Sequence, residues 1–497
     1  MRTPPLPDST AAAGPRASRL ALAAAAAGLL LAGGLAGCNL EKLAGSSLPP
    51  NIPDPGLTHT AQGAMSMYFG SLIDFRGAVG GDPYSYIPIS GMFTDELGSA
   101  ELGLVGSESS AQLLDSRYFV TGTGNQDVTY LYGLLQRTRN QIGESRGLLE
   151  QYDPDSTVLV GTLDLVQGFT EVYLADFFCS GVPLSTVDYN GDFTLKPGSS
   201  TQQVYTDAAA EFDSAMALGA DSPNIVNAAR VGEGRAQLDL GNFAAAAAAV
   251  ASVPVGFTWA MHYSTATEPL PNGPPLLPDY GNYQARDYAW NDFITNPNFV
   301  GLTLSDTEGG NGLAFLSAGD PRTPWVQYGT NNNGYPLYRP ATLATSGGTP
   351  TGADSIVLAG YIEAQLIEAE AALQAGDTTT WLSKLNALRT NGTATGGVWN
   401  AGTGGVAGLA PLSEPGSDSA RVSLLFRERG FWLYLTGHRQ GDLRRLIRQY
   451  GRDPSSVYPT GYYPGAYGEY GSAVTAPVPT EEQQSNPLFT GCISTGA

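Results

Sequence analysis

The sequence predicts a mainly α-helical protein, in which tetratricopeptide-type helix pairs form a scaffold that one irregular, loop-rich segment interrupts. Apolar residues recur at helical spacing across about 127–252 and 356–452. Residues 253–355 have no sustained period and are rich in Gly, Pro, Asn and aromatic residues. We therefore expect one folded domain over 58–497, with the loop-rich segment as its ligand-binding lobe.

The first predicted helix pair consists of "TYLYGLLQRTRNQIGESRGLLEQY" and "VLVGTLDLVQGFTEVYLADFF". In both stretches apolar residues recur every three or four positions, which places them on one helical face. The turn sequence "DPDS" separates them, so an antiparallel arrangement is expected.

Two further pairs share a turn pattern. The glycines Gly241 and Gly376 are each expected to end a helix, and Phe243 and Trp381 follow as aromatic plugs between helices. The distance between the two glycines far exceeds one repeat length. The repeat array is therefore predicted to be interrupted by the loop-rich lobe.

The amino terminus is predicted to be a lipoprotein signal peptide over 1–37. Three arginines precede "LALAAAAAGLLLAGGLAGC", an apolar run too short to span a bilayer. Its end is similar to the lipobox of bacterial lipoproteins, so Cys38 is the expected lipidation site; the alternative is a plain signal peptide with an incidental cysteine. Residues 38–57 are polar and proline-rich and are predicted to be a tether between the lipid anchor and the domain.

Charge and cysteine content narrow the classes of function. The net charge of −21 opposes binding to phosphate backbones, so nucleic acid is not expected as a partner. Beyond Cys38, the cysteines are Cys179 and Cys492. In an exported protein a disulfide between them is expected, with two free thiols as the alternative.

No catalytic motif was found. The three histidines, His59, His262 and His438, are scattered without metal-binding spacing. No Gly-x-Ser-x-Gly elbow or phosphate-gripping Gly-Lys-Ser/Thr occurs, and no cofactor is indicated. Carboxylates are plentiful, which neither supports nor excludes a glycoside hydrolase.

Aromatic residues concentrate in the loop-rich lobe and are the predicted ligand contacts. Exposed Trp and Tyr rings can stack on the apolar faces of sugars. The alternative is that most of these rings fill a core. The candidates are Trp259, Tyr263, Trp290, Trp325 and Tyr328, with Tyr280, Tyr283 and Tyr338 nearby.

Four features in order resemble the SusD/RagB-like lipoproteins of bacterial outer membranes. They are the lipobox, "DFFCSGVPLS", "GYIEAQLIEAEAALQAGD", and a carboxy-terminal run with Glu428-Arg429, Gly437-His438-Arg439 and Asp442-Leu443-Arg444-Arg445. A late "APVPTEEQQSNPLF" is also similar to the family pattern. Trp432 and Thr436 depart from it, because relatives commonly have glutamate at these positions.

The resemblance implies a SusD-like fold with four helix pairs, and ligand-facing residues at Asp95 and Glu96. It also implies a non-enzymatic protein, held at the outer membrane by its lipid and facing the exterior. This protein would bind an oligosaccharide and deliver it to a TonB-dependent, SusC-like transporter. Peptide capture, as in RagB-type relatives, and an anchored glycoside hydrolase remain alternatives.

The resemblance assigns the arginine-rich run around His438 to the last helix pair of the scaffold. Asp442 lies three residues from both Arg439 and Arg445, which is within ion-pair reach on a helix. The run is therefore expected to be structural.

Overall fold

Helices dominate the part of the chain that the computed structural model describes, namely residues 58–81, 84–98, 109–119, 124–187, 192–262, 311–323, 325–330, 336–340, 355–391, 406, 408–463 and 468–497. The mainly α class is therefore confirmed. Residues 58–497 form one compact unit. The predicted signal peptide, Cys38 and the tether lie outside the described residues.

The helices follow in chain order. They are α1 (Ala61–Arg76), a π-helical turn (Gly77–Gly81), α2 (Tyr86–Phe93), α3 (Ser110–Asp115), α4 (Gln126–Tyr152), α5 (Thr157–Phe177), α6 (Thr201–Leu218), α7 (Pro223–Asp239), α8 (Phe243–Val250), α9 (Tyr361–Gln374), α10 (Thr378–Asn391), α11 (Asp418–Trp432), α12 (Arg439–Arg448), a 3₁₀ turn (Pro454–Ser456) and α13 (Thr480–Ser485).

The strands are short and pair only in twos within the described residues. They are β1 (Val182–Pro183), β2 (Thr186–Val187), β3 (Phe193–Thr194), β4 (Gly198–Ser199), β5 (Thr258–His262), β6 (Trp325–Thr330), β7 (Pro336–Pro340) and β8 (Ser355–Gly360). All four pairings are antiparallel: β1 with β4, β2 with β3, β5 with β8, and β6 with β7.

The core is built around α5. This helix is buried along nearly its whole length, against α1, α4, α6 and α7. It is the one described helix long and apolar enough to cross a membrane, but 83% of that apolar window is buried inside the protein. The apolar composition of α5 is therefore that of a helix buried in the core.

The turns of the second and third helix pairs follow the predicted pattern. Gly241 and Gly376 adopt φ values of 81° and 78°, a left-handed conformation that disfavours residues with a Cβ. Trp381 is completely buried, whereas Phe243 is only partly buried. The larger ring is thus the tighter plug between helices.

Two strands close the neck of the loop-rich lobe. β5 pairs with β8 from Thr258↔Gly360 to His262↔Ser355, so the two ends of the interrupting segment lie side by side. Arg235 of α7 fixes this neck to the scaffold, because its Nη2 donates to the Leu358 carbonyl oxygen at 2.6 Å. The segment predicted to be irregular therefore contains a strand pair at its base and the β6–β7 hairpin within it.

A buried network of ion pairs joins helices α7, α9, α11 and α12. Asp442 accepts two hydrogen bonds from Arg429, at 2.8 and 2.9 Å, and one from Arg445 at 2.9 Å. Arg445 also reaches Glu370 at 3.0 Å and Asp239 at 3.3 Å. Burial alone would raise the pKa of Asp442, but the two guanidinium groups outweigh it and lower that pKa.

The predicted partners of Asp442 were half correct. Its pair with Arg445 forms, whereas Arg439 turns away and binds Asp95 at 2.6 Å. Asp442 takes its second cation from Arg429, thirteen residues earlier on α11. Spacing within one helix could not reveal a partner on another helix.

The predicted disulfide between Cys179 and Cys492 is present, and it spans 313 residues of sequence. Backbone contacts surround it: Cys179 N donates to Ala476 O at 2.8 Å, and Ser180 pairs with Ser494. The carboxyl tail is thus fixed against the end of α5 by a covalent bond and by hydrogen bonds.

The substitution Asp442→Asn is expected to lower the free energy of unfolding by about 3–5 kcal/mol, because it leaves two buried guanidinium groups without their shared carboxylate. Urea denaturation would measure the change. Asp418→Asn, at a side chain that is 96% exposed, serves as the control and should change stability by less than about 0.5 kcal/mol. Equal effects for the two variants would contradict a structural role for the network.

Candidate functional site

His438 is part of the scaffold. The ring is 4% exposed, with Nε2 2.9 Å from Glu363 and Nδ1 2.6 Å from the Thr436 hydroxyl. Burial and the nearby Arg235 lower the pKa of His438. Burial acts to raise the pKa of Glu363, but Arg235 and His438 outweigh it and lower that pKa to about 2. His438 is therefore a buried ring paired with a buried carboxylate of the scaffold.

Asp95 also belongs to the scaffold, which corrects the prediction that it faces a ligand. Its side chain is fully buried and binds the Arg439 guanidinium through both oxygens, each at 2.6 Å. It also accepts a hydrogen bond from the Leu313 backbone N–H at 2.7 Å. Asp95 therefore ties the segment after α2 to α12 and to the described residues of the lobe.

Glu96 requires the same correction. The residue is 2% exposed, and its Oε1 accepts from the backbone N–H of Leu435 at 2.8 Å. Leu435 has a φ of 55°, a conformation rare outside glycine, and the Tyr434 hydroxyl donates to the Glu96 carbonyl oxygen at 3.0 Å. Glu96 therefore stabilises the strained turn between α11 and α12.

The predicted aromatic contacts lie in different surroundings. Trp259 is partly buried and stacks on Phe169 of α5, with ring centroids 5.8 Å apart and an interplanar angle of 12°. One face of this ring therefore packs on the core, and its assignment as a ligand contact stays a prediction. Trp325 and Tyr328 lie on β6, and Tyr338 lies on β7. Tyr263, Tyr280, Tyr283 and Trp290 lie outside the described residues and stay predictions.

An aromatic surface that the sequence reasoning missed is formed by Tyr84 and Tyr130. The two rings stack with centroids 4.7 Å apart and an interplanar angle of 25°. Tyr130 is 49% exposed, and Tyr84 lies beneath it and is partly buried. This arrangement presents a ring backed by a second ring, a rigid flat surface on which a sugar face can stack.

Local structure holds this aromatic pair in place. Tyr130 lies in the first turns of α4, whose amino terminus is capped by the Asn125 side chain accepting from Val128 N at 3.1 Å. Asp127 in the same turn accepts a hydrogen bond from Ser110 at 2.6 Å. A helical wheel could have found the residue, since Tyr130 lies off the buried face of α4 that contains Val128.

Among the described residues, no group of three or more His, Cys, Asp or Glu side chains is arranged to hold a metal ion. The side chains of His438, Asp95 and Glu96 are all engaged in scaffold contacts.

Comparison with solved structures identifies the fold as SusD-like. A SusD superfamily protein from Bacteroides vulgatus matches with a TM-score of 0.59 and 14% identity, covering 88% of this chain and 99% of that one. Surface glycan-binding protein A from Bacteroides uniformis matches with a TM-score of 0.56 and 15% identity, covering 87% and 98%. A laminarin-binding SusD-like protein matches with a TM-score of 0.56 and 15% identity, covering 87% of this chain and 99% of that one.

The predicted SusD-like fold is therefore confirmed over nearly the whole folded chain. No protein-family model matches the sequence, and no curated protein matches it. At identities of 14–15%, the common feature is the fold, and the ligand must be argued from this chain's own residues.

Glu96→Gln tests the assignment of Glu96 to the scaffold through pH dependence. Burial raises the pKa of Glu96 from 4.5 to about 8, although the Leu435 N–H and Arg439 oppose this. The stability contributed by the protonated carboxyl is complete below about pH 4.5 and is lost as the pH rises to about 8. The melting temperature of the variant, relative to the native protein, should therefore rise from about pH 5 to about pH 8 and then level off.

Glu150→Gln, at an exposed position of α4, is the matched control and should show no such trend. Differential scanning calorimetry across the pH range would measure both variants. A pH-independent difference for Glu96→Gln would show that the carboxyl is ionised throughout, and the assignment would be wrong.

Proposed function

We propose that this protein is a surface lipoprotein that binds an oligosaccharide and delivers it to a TonB-dependent, SusC-like transporter. One observation carries the proposal: a fold spanning nearly the whole domain is similar to structures named as glycan-binding and laminarin-binding proteins. The absence of a recognisable catalytic motif in the sequence agrees with binding without turnover.

The Tyr84–Tyr130 pair is the proposed stacking site within the described residues. Its exposed ring is large, apolar on its face and fixed by a second ring, so little conformational entropy is lost when a sugar stacks on it. The lobe aromatics Tyr263, Trp290, Trp325 and Tyr328 remain proposed further contacts.

The remaining elements of the proposal concern location and partners. Cys38 would hold the lipid, residues 38–57 would tether the domain, and the protein would sit at the outer membrane facing the exterior. The lipobox-like end of the signal and the polar, proline-rich composition after it support this arrangement. Peptide capture and glycoside hydrolysis remain alternatives that binding and turnover assays separate from the proposal.

Tyr130→Ala is expected to weaken glycan binding about threefold to tenfold, the loss associated with one stacking contact. The affinity should be measured by isothermal titration calorimetry, with the oligosaccharide that binds best in a glycan array. Tyr462→Ala is the matched control, since Tyr462 is also exposed, at 53%, and is not part of the Tyr84–Tyr130 stack.

Three results would contradict the proposal. Unchanged affinity in Tyr130→Ala would remove the stacking site, and binding of a peptide library with no glycan binding would favour peptide capture. Release of reducing ends from a bound oligosaccharide would identify a hydrolase.

Cys38→Ser is expected to abolish membrane anchoring, because serine cannot form the thioether that carries the diacylglycerol. The full chain should be expressed in a bacterial host and followed by incorporation of radiolabelled palmitate and by membrane fractionation. Cys179→Ser is the control and should keep the label. Equal labelling of native protein and Cys38→Ser would show that the cysteine is incidental.

A further inference from the structure

A groove of about 720 Å³ lies between residues 411–417 and the exposed side of α11. Its volume is within the range of about 300–1,000 Å³ that is usual for ligand sites. Leu412 and Leu424, both partly buried against the core, form its apolar floor, and four serines lie along its sides. It is separate in sequence from the Tyr84–Tyr130 pair and from the loop-rich lobe.

The wall of the groove is held firmly. The Asn386 side chain of α10 donates to the Leu412 carbonyl oxygen at 3.2 Å and accepts from the Leu412 N–H at 2.7 Å. Arg389 Nε donates to the Ala410 carbonyl oxygen at 2.6 Å, and Leu409 N donates to the Arg389 carbonyl oxygen at 3.2 Å. The groove is therefore preformed, so little conformational entropy would be lost in ordering it around a ligand.

Some of the serine hydroxyls are available to a ligand. Ser417 Oγ accepts from Ala420 N at 3.3 Å as the cap of α11, and Ser423 Oγ donates to the Ser419 carbonyl oxygen at 3.0 Å. Ser413 and Ser419 line the groove, and neither hydroxyl has a hydrogen-bond partner within the described part of the chain. Each can donate one hydrogen bond and accept others.

Arg427 contributes positive charge to the groove. The buried Glu428 carboxylate is already bound by Arg322 at 2.7 Å and by Arg389 at 2.8 Å, while Arg427 contacts it only at 3.4 Å. Arg427 is 42% exposed, compared with 2% for Arg322 and 12% for Arg389. Its guanidinium, 4.7 Å above the Phe431 ring, is thus oriented and partly exposed.

Two acidic residues lie beside the groove. Glu414 and Asp418 are both bound to Arg421, each at 2.5 Å. Among the residues that line the groove, Arg427 is the charged one. A carboxylate is a ligand group that an accessible guanidinium binds well.

The backbone of the wall argues against an extended peptide. Peptides that bind along a segment pair with its main-chain groups. Pro411 and Pro415 have no N–H, and both main-chain groups of Leu412 are used by Asn386. Recognition must therefore use the serine hydroxyls, the guanidinium and the apolar floor, which match the hydroxyls, carboxylate and apolar face of an acidic sugar.

We propose that the groove between residues 411–417 and α11 is a binding subsite for a carboxylate-bearing saccharide. Its carboxylate pairs with Arg427, its hydroxyls bond with Ser413 and Ser419, and its ring face lies on Leu412 and Leu424. The inference rests on the proposed function, glycan binding, and adds a class of sugar and a second location to it.

The test measures binding of uronate oligosaccharides to the folded domain by isothermal titration calorimetry. The probes are trimers of α-1,4-linked galacturonic acid and of mannuronic acid, each compared with its methyl-esterified form. Native protein should bind at least one acidic trimer at least about tenfold more tightly than its ester, since the ester removes a charge-assisted hydrogen bond.

Two groove variants and one control complete the design. Arg427→Gln should remove the preference for the acid over the ester, and Ser419→Trp should block both by filling the groove from an exposed position. Arg137→Gln is the control, because Arg137 is an exposed arginine (62%) on α4. Unchanged melting temperatures would show that each variant is folded.

The outcomes separate this inference from the proposed function. If no acidic trimer binds, or if Arg427→Gln and Ser419→Trp bind as native protein does, the subsite is overturned. Tyr130-dependent binding of a neutral glycan would then still support the proposed function. Binding of an acidic peptide in the groove, with no binding of uronate, would overturn the saccharide assignment. Uronate binding that depends on Arg427 supports it, whether or not Tyr130→Ala changes the affinity for a neutral glycan.

Discussion

Pairing of buried charges is the constraint on which the rest of the structure depends. The carboxylate of Asp442 lies between Arg429 and Arg445, and Arg445 continues to Glu370 and Asp239. Because an unpaired charge in a protein interior costs several kcal/mol, a shift of one helix that separated these groups would be strongly opposed. Apolar packing alone would tolerate small shifts and rotations of the helices. The network therefore restrains the positions of the four helices in the scaffold.

The scaffold is bonded directly to the base of the inserted lobe. The neck formed by β5 and β8 is bonded to α7 through Arg235, whose guanidinium also binds Glu363 at 2.7 and 2.9 Å. Glu363 in turn contacts His438 near the start of α12. The base of the lobe is thus continuous with the buried charges.

The sequence was most informative where the signal is local. Helical periodicity and left-handed glycines at Gly241 and Gly376 predict the helix pairs, because both depend on neighbouring residues. Partners from distant elements were missed: Asp95 binds Arg439, and Tyr84 stacks on Tyr130. The resemblance predicted the fold correctly but the role of Asp95 and Glu96 wrongly, because a carboxylate in a loop looks the same whether it faces a ligand or braces a turn.

The disulfide has a consequence for the order in which the protein is made. Cys179 follows α5, the central helix, whereas Cys492 is among the last residues of the chain. A ribosome therefore finishes the core helix long before the partner thiol is made, because Cys492 lies 313 residues after Cys179. Until then the Cys179 thiol cannot form this bond, and the central helix must fold without it.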